Sequence, residues 1–139
     1  MKMYEICLLH AQSDRAMRAL IADQLSELNI TMMEWLLLGV VAEGKGKGIT
    51  MSEIAGALHV TLPQVTALVN KLLPLKLIKQ KSASTDRRSR VVTITSKGQL
   101  ALDDAHKLLD KAMEQWLGSV EQTQLDAYLT TLKQFASVT

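Results

Sequence analysis

The sequence predicts a mainly α fold, a winged helix-turn-helix flanked by N- and C-terminal helices that form a dimerisation domain. Three observations carry that prediction. Thr31-Met32-Met33-Glu34, Thr50-Met51-Ser52-Glu53 and Thr61-Leu62-Pro63-Gln64 each have the form of a capping box, in which a Thr and a Glu or Gln satisfy each other's end of a new helix. Val65, Leu68, Val69, Leu72 and Leu73 then recur at helical spacing. After Pro74, two strand-like stretches enclose the basic run Asp86-Arg87-Arg88-Ser89-Arg90, which reads as a hairpin wing.

Composition agrees with packed helices. The 139 residues are 47% hydrophobic but only 4% aromatic, with Leu, Ala, Ile, Val and Met supplying the bulk. That length suits one domain with its own core. The longest apolar run, Trp35 to Ala42, is far short of a membrane span, and the N-terminus lacks the form of a secretory signal. A single cysteine, Cys7, excludes an internal disulfide and fits a reducing cytoplasm.

In chain order, residues 4–28 read as one long helix with Ile6, Leu9, Met17, Leu20, Gln24 and Leu28 along one side, broken at Asn29-Ile30-Thr31. The second helix runs through Trp35, Leu36, Leu38 and Val41. Gly44-Lys45-Gly46-Lys47-Gly48 reads as a flexible loop, because so many glycines disfavour a helix. A short helix from Thr50 turns Ile54, Ala55 and Leu58 inward. His59-Val60 is a tight turn, and the helix from Thr61 shows Gln64, Thr66, Ala67, Asn70 and Lys71 outward. Two short helices so joined make a helix-turn-helix over about 50–74.

Pro74, lacking an N–H, is expected to stop the second of them by pushing Leu73 out of the helical region. Leu77–Lys81 and Val91–Thr95 are the strands of a wing over about 78–95. Thr95 or Ser96 caps a linking helix over 96–117, with Leu100, Ala101, Ala105, Leu108, Leu109, Ala112, Met113 and Trp116 at helical spacing. After Gly118-Ser119 a last helix carries Leu125, Tyr128, Leu129, Leu132 and Phe135. The chain thus reads as a single domain, 1–139, with 31–98 the winged helix-turn-helix and 1–30 and 118–139 the dimerisation helices. These outer helices hold more apolar surface than a lone winged domain covers, and they pack either across a homodimer axis or in an intrachain bundle.

Charge points to a partner. Of the 16 Lys and Arg, eight lie between Leu62 and Gln99 against one acid, Asp86, so that window carries +7 in a chain of net +2. Such concentration is the footprint of a phosphate-backbone binder, here double-stranded DNA. The candidate contacts are Ser52, Thr61, Pro63, Gln64, Thr66 and Asn70 on the helix-turn-helix, with Asn and Gln suited to adenine. Lys71 is expected on phosphate, and Arg87, Arg88 and Arg90 on phosphate or in a narrow minor groove. A winged helix used only for protein contact would need neither the +7 window nor this polar face. An enzyme is disfavoured for want of a nucleophile–base pair, a glycine-rich phosphate loop or paired carboxylates.

The order of elements resembles the MarR family of bacterial transcription regulators. The wing run from Asp86 to Gly98 is similar to that family's Asp-x-Arg followed by an alternating strand and Thr-x-x-Gly, while Met51–Ala55 and Val65–Leu72 resemble its helix-turn-helix. The resemblance implies a homodimer on a pseudo-palindromic operator, acting as a repressor released by a small-molecule effector or by oxidation. Where the family often has glycine, Lys76 stands, and Pro74 is expected to take over the stop.

Cys7 lies 22 residues before Asn29, which resembles the peroxide-sensing cysteine of one branch of that family, as do Ser13, Arg15 and Met17. That branch's thiolate-binding tyrosines are replaced by Ala11, Ile21 and Met32, so the alternative is a small buried hydrophobe. His10, Met17 and Trp35 either line a ligand cavity of the kind the family has or belong to the core. His10, His59 and His106 include no pair at i, i+4 spacing, and neither a metal nor a cofactor is expected.

Overall fold

Threonine hydroxyls open the helices of the computed structural model, which describes residues 1–82 and 90–138. Thr31 and Thr50 each accept a hydrogen bond from the backbone N–H three residues on, Glu34 and Glu53, at 3.2 Å. The Thr61 box is reciprocal: Thr61 Oγ1 accepts from Gln64 N at 3.4 Å, and Gln64 Oε1 accepts from Thr61 N at 2.8 Å. Thr95 caps in the same way, accepting from Gly98 N at 2.9 Å. These caps start α2 (Met32–Glu43), α3 (Met51–Leu58), α4 (Leu62–Leu72) and α5 (Ser96–Leu117). The chain begins with α1 (Met3–Leu25), extended by a 3₁₀ turn over Ser26–Leu28, and ends with α6 (Gln122–Ala136).

A small antiparallel sheet has the strand order β1 (Ile49–Thr50), β3 (Arg90–Ile94), β2 (Ile78–Ser82). Gln80 faces Val92, and Lys81 faces Val91, which sets Ile78, Gln80 and Val92 on the inner side and Lys79, Lys81 and Thr93 on the outer. Strand β1 was not expected. Instead of a plain loop, Lys45–Lys47 forms a 3₁₀ turn and Ile49 pairs with Val92. Gly48 makes that approach feasible: it sits at φ 77°, and a Cβ there would lie 3.0 Å from the Thr93 methyl. Two paired residues are too few to show alternation in a sequence.

The core joins α2, α3, α4 and the sheet through Leu37, Leu38, Val41, Ile54, Val65, Val69, Leu72, Ile78 and Val92. A second cluster of Leu25, Ile30, Ala105 and Leu109 ties the end of α1 to α5, and Trp35 packs against both. Each fully buried aliphatic side chain contributes about 1.5–3 kcal/mol of transfer free energy.

Several expectations are corrected here. Leu73 keeps helical backbone angles (φ −57°, ψ −50°), so Pro74 does not push it out. The chain instead turns at Lys76, which adopts φ 60° and donates its N–H to Leu73 O at 3.0 Å. On α5 the buried stripe is Gly98, Leu102, Ala105, Leu109 and Ala112, while Leu100 is 62% exposed. The cause is docking at the helix start: a Cβ on Gly98 would strike the Leu77 carbonyl, and this contact fixes which face turns inward. On α1 the fully buried residue is Leu25, whereas Leu9 is exposed. No single helix among the described residues is long and apolar enough to cross a membrane.

Candidate nucleic-acid interface

The candidate face is built from α3, α4 and the inner side of the sheet. Helix α4 buries Val65, Val69 and Leu72, which forces the opposite side, with Leu62, Thr66 and Asn70, to solvent. Between that side, the start of α3 and the sheet lies a cleft of about 630 Å³ lined by Met51, Ser52, Leu62, Thr66, Val69, Asn70, Gln80 and Arg90. Four residues singled out from the sequence, Ser52, Thr66, Asn70 and Arg90, thus come together. Gln80 was missed, although its place opposite Val92 turns it toward α3, where its Nε2 lies 3.9 Å from Met51 Sδ. The signal was present in the alternation of Ile78, Gln80 and Ser82 against Lys79 and Lys81.

The side chains on this face differ in what they have left to offer. Gln64 is engaged at its amide oxygen by both the backbone N–H and the hydroxyl of Thr61, at 2.8 and 3.1 Å. The hydroxyl of Thr66 donates to Leu62 O at 3.1 Å, leaving its lone pairs as acceptors. Asn70 has no hydrogen bond to a described residue, so both its donor and acceptor groups are free to meet a base edge. Thr61 and Pro63 are exposed at the start of α4, and Lys71 is exposed on its flank beside Gln64 and Ala67, which line a separate hollow of about 310 Å³. Arg87 and Arg88 lie outside the described residues.

The residues suggested for an effector do not converge. His10 is exposed on α1, where it lines a hollow of about 330 Å³ with Ile6, Leu9, Ser13 and Tyr128, and its ring meets Phe135 of α6 edge-on at 5.9 Å. Neither Met17 nor Trp35 lines that hollow; Met17 is half-buried on α1, and Trp35 belongs to the core. Cys7 is a free, exposed thiol rather than a buried hydrophobe, because the first half of α1 extends beyond the core that would cover it. No group of three or more metal-ligating side chains is found among the described residues.

The helix pair α3–α4 and the three-stranded sheet that follows it together define a winged helix-turn-helix fold. A family model described as MarR family matches residues 28–89. The chain is 28% identical over 98 residues to the HTH-type transcriptional regulator BilQ of Clostridium symbiosum (strain WAL-14163), covering 70% of this chain and 68% of that one. Among solved structures, the transcriptional regulator BldR from Sulfolobus solfataricus superposes with a TM-score of 0.84 over 100% of both chains at 25% identity. The Staphylococcus aureus MepR–DNA complex superposes with a TM-score of 0.83 at 21% identity, over 96% of this chain and 97% of that one. In its fold, and in sequence over residues 28–89, the chain is similar to the MarR family of winged helix-turn-helix transcriptional regulators.

Proposed function

We propose that this protein is a homodimeric, sequence-specific DNA-binding repressor, with double-stranded DNA seated in the cleft between α4 and the sheet and its hold relieved by a small-molecule effector. The observation that carries this reading is the convergence of Ser52, Thr66, Asn70 and Arg90 on one exposed concave face. Asn70 is the principal base reader, suited to adenine, with Ser52, Thr61, Pro63 and Thr66 beside it. Gln64 serves the cap first and reaches DNA only through its free amide nitrogen. Lys71, Arg87, Arg88 and Arg90 take phosphates or a minor groove.

A single α4 reads too few base pairs to select a site in a genome, so two copies act on a pseudo-palindromic operator, with reading heads about 34–36 Å apart. The apolar residues exposed on α1 and α6, among them Leu9, Leu129 and Phe135, support pairing through those helices. An effector lodged among the outer helices would then act by changing head separation. The test is a gel shift with duplexes that the protein selects from a random pool. Arg88→Ala is expected to weaken binding at moderate salt while leaving melting and oligomeric state unchanged; unaltered affinity removes Arg88 from the interface.

A further inference from the structure

Helix α4 begins with an apolar side chain on the face that otherwise carries its polar ones. Leu62, Thr66 and Asn70 stand four residues apart, one turn after another along the same side. Leu62 is 47% exposed. Between residues 31 and 98 the other exposed large apolar side chain among the described residues is Leu75, which lies in the turn after α4 and does not line the cleft. A leucine at the surface is ordinary when it stands alone. Leu62 does not: it lines the cleft with Met51 and Val69, alongside the polar Ser52, Thr66, Asn70, Gln80 and Arg90. Thr66 is tied to this group, since its hydroxyl donates to Leu62 O at 3.1 Å, which fixes its rotamer and with it the place of its methyl group.

We propose that Leu62, with Met51 and the Thr66 methyl beside it, reads the 5-methyl group of a pyrimidine in the major groove, borne by thymine or by 5-methylcytosine. The proposal rests on the reading of the cleft as the DNA interface and adds to it a base contact made without a hydrogen bond. In the major groove the bases differ in donors and acceptors, and thymine alone of the unmodified ones also presents a methyl group, at C5. Apolar side chains are what meets that group. Leucine has neither a donor nor an acceptor in its side chain, so at the start of α4 it serves neither a phosphate nor the polar edge of a base. What it can do is withdraw apolar surface of both partners from water. Leu62 and Asn70 are eight residues apart, about 12 Å along the helix, which is more than three steps of about 3.4 Å along a DNA strand. With α4 lying along the groove, the methyl group and the base that Asn70 meets therefore belong to different base pairs.

The experiment uses the full-length protein and one duplex that it selects from a random pool. Each thymine in turn is replaced by deoxyuridine, which removes the methyl group and keeps the base pair. In the wild type one such replacement in each half-site is expected to weaken binding roughly fourfold, the loss of one buried methyl group. Leu62→Ala should bind the thymine and uracil duplexes equally, while discrimination at the position that Asn70 meets is retained. Leu62→Gln, which keeps the length and removes the apolar contact, should do the same, and Leu62→Met should keep the preference for thymine. A second pair of duplexes carries cytosine or 5-methylcytosine at the same position. Tighter binding of the methylated form, lost in Leu62→Ala, extends the site to methylated DNA; equal binding with the thymine preference intact confines it to thymine. Wild-type affinity that no uracil replacement changes overturns the proposal and leaves the cleft intact. So does a thymine preference that survives in Leu62→Ala and Leu62→Gln, because the methyl group then acts through the duplex or through another residue. Failure to select any duplex removes the DNA reading of the cleft itself, and this proposal with it.

Discussion

Helices α4 and α6 carry the same apolar spacing and have opposite fates. Val65, Val69 and Leu72 on α4 are buried almost completely, whereas Leu125, Leu129 and Leu132 on α6, separated by the same steps, are half-buried or exposed. Helix α6 buries none of its residues at all. Periodicity therefore says that a face is meant to be covered, but not by what. On α4 the cover comes from α2, α3 and the sheet of the same chain. On α6 the described residues of this chain leave it largely uncovered, which is why the proposed function brings in a second copy.

The strongest break in this comparison is Leu129→Asp with Leu132→Asp. A charge pair on α6 should cost the monomer little, since Leu129 is already 46% exposed, but it should prevent two copies from joining. Light scattering is expected to report a monomer, with operator affinity down about 10²–10⁴-fold through loss of the linked second head. A wild-type protein that is itself monomeric at micromolar concentration, yet binds a palindromic site tightly, would refute the assignment of α6 to a dimer.

The converse change lies on α4. Leu72 is fully buried, and Leu72→Ala should cost about 2–5 kcal/mol of folding stability through lost transfer energy and the cavity left behind. Leu129→Ala should shift melting much less in dilute protein and more as concentration rises if, as proposed, its cover is a second copy. If urea titrations gave both substitutions equal, concentration-independent losses, α6 would be part of the intrachain core after all.

The outward side of α4 sharpens the contrast further. Asn70→Ala removes a side chain with no hydrogen bond to a described residue, so melting should stay within about 0.5 kcal/mol. Discrimination at one operator position should fall by about 1–3 kcal/mol, read as the affinity ratio between the selected duplex and its single-base variants. Gln64→Ala should do the reverse, weakening the Thr61 cap and with it the helix start, while specificity changes little. A uniform loss across all duplexes for Asn70→Ala would make it a backbone contact.

Much of this architecture was legible because local signals agreed with one another. Thr31, Thr50, Thr61 and Thr95 all cap, and apolar spacing identified the inward face of α4. What escaped depended on neighbours distant in sequence. Strand β1 exists because Gly48 lets Ile49 reach β3, and Leu102 rather than Leu100 is inward because Gly98 sits against the Leu77 carbonyl. The cleft was partly legible: Asn70's outward place on α4 followed from spacing, but spacing alone did not reveal that Gln64 is engaged in the Thr61 cap. Cys7 was misplaced as buried because helical spacing on α1 does not say how far the core extends along it.

The smallest predicted effect tests how α4 ends. Lys76 holds φ 60°, a conformation that costs a residue with a Cβ about 1–2 kcal/mol and that glycine adopts freely. Part of that difference is lost to the greater freedom of glycine in the unfolded chain. Lys76→Gly should therefore raise stability by up to about 1 kcal/mol, provided the Thr95 hydroxyl keeps its bond to the residue 76 carbonyl. Thermal melting should then show a higher melting temperature for the glycine variant. Lys76→Ala separates backbone strain from the side chain, since it keeps the strained backbone while removing the amine: no rise in melting temperature is expected. A glycine variant that melts lower than the wild type would show that the lysine side chain contributes packing there, and that the stop at Lys76 is not set by backbone strain.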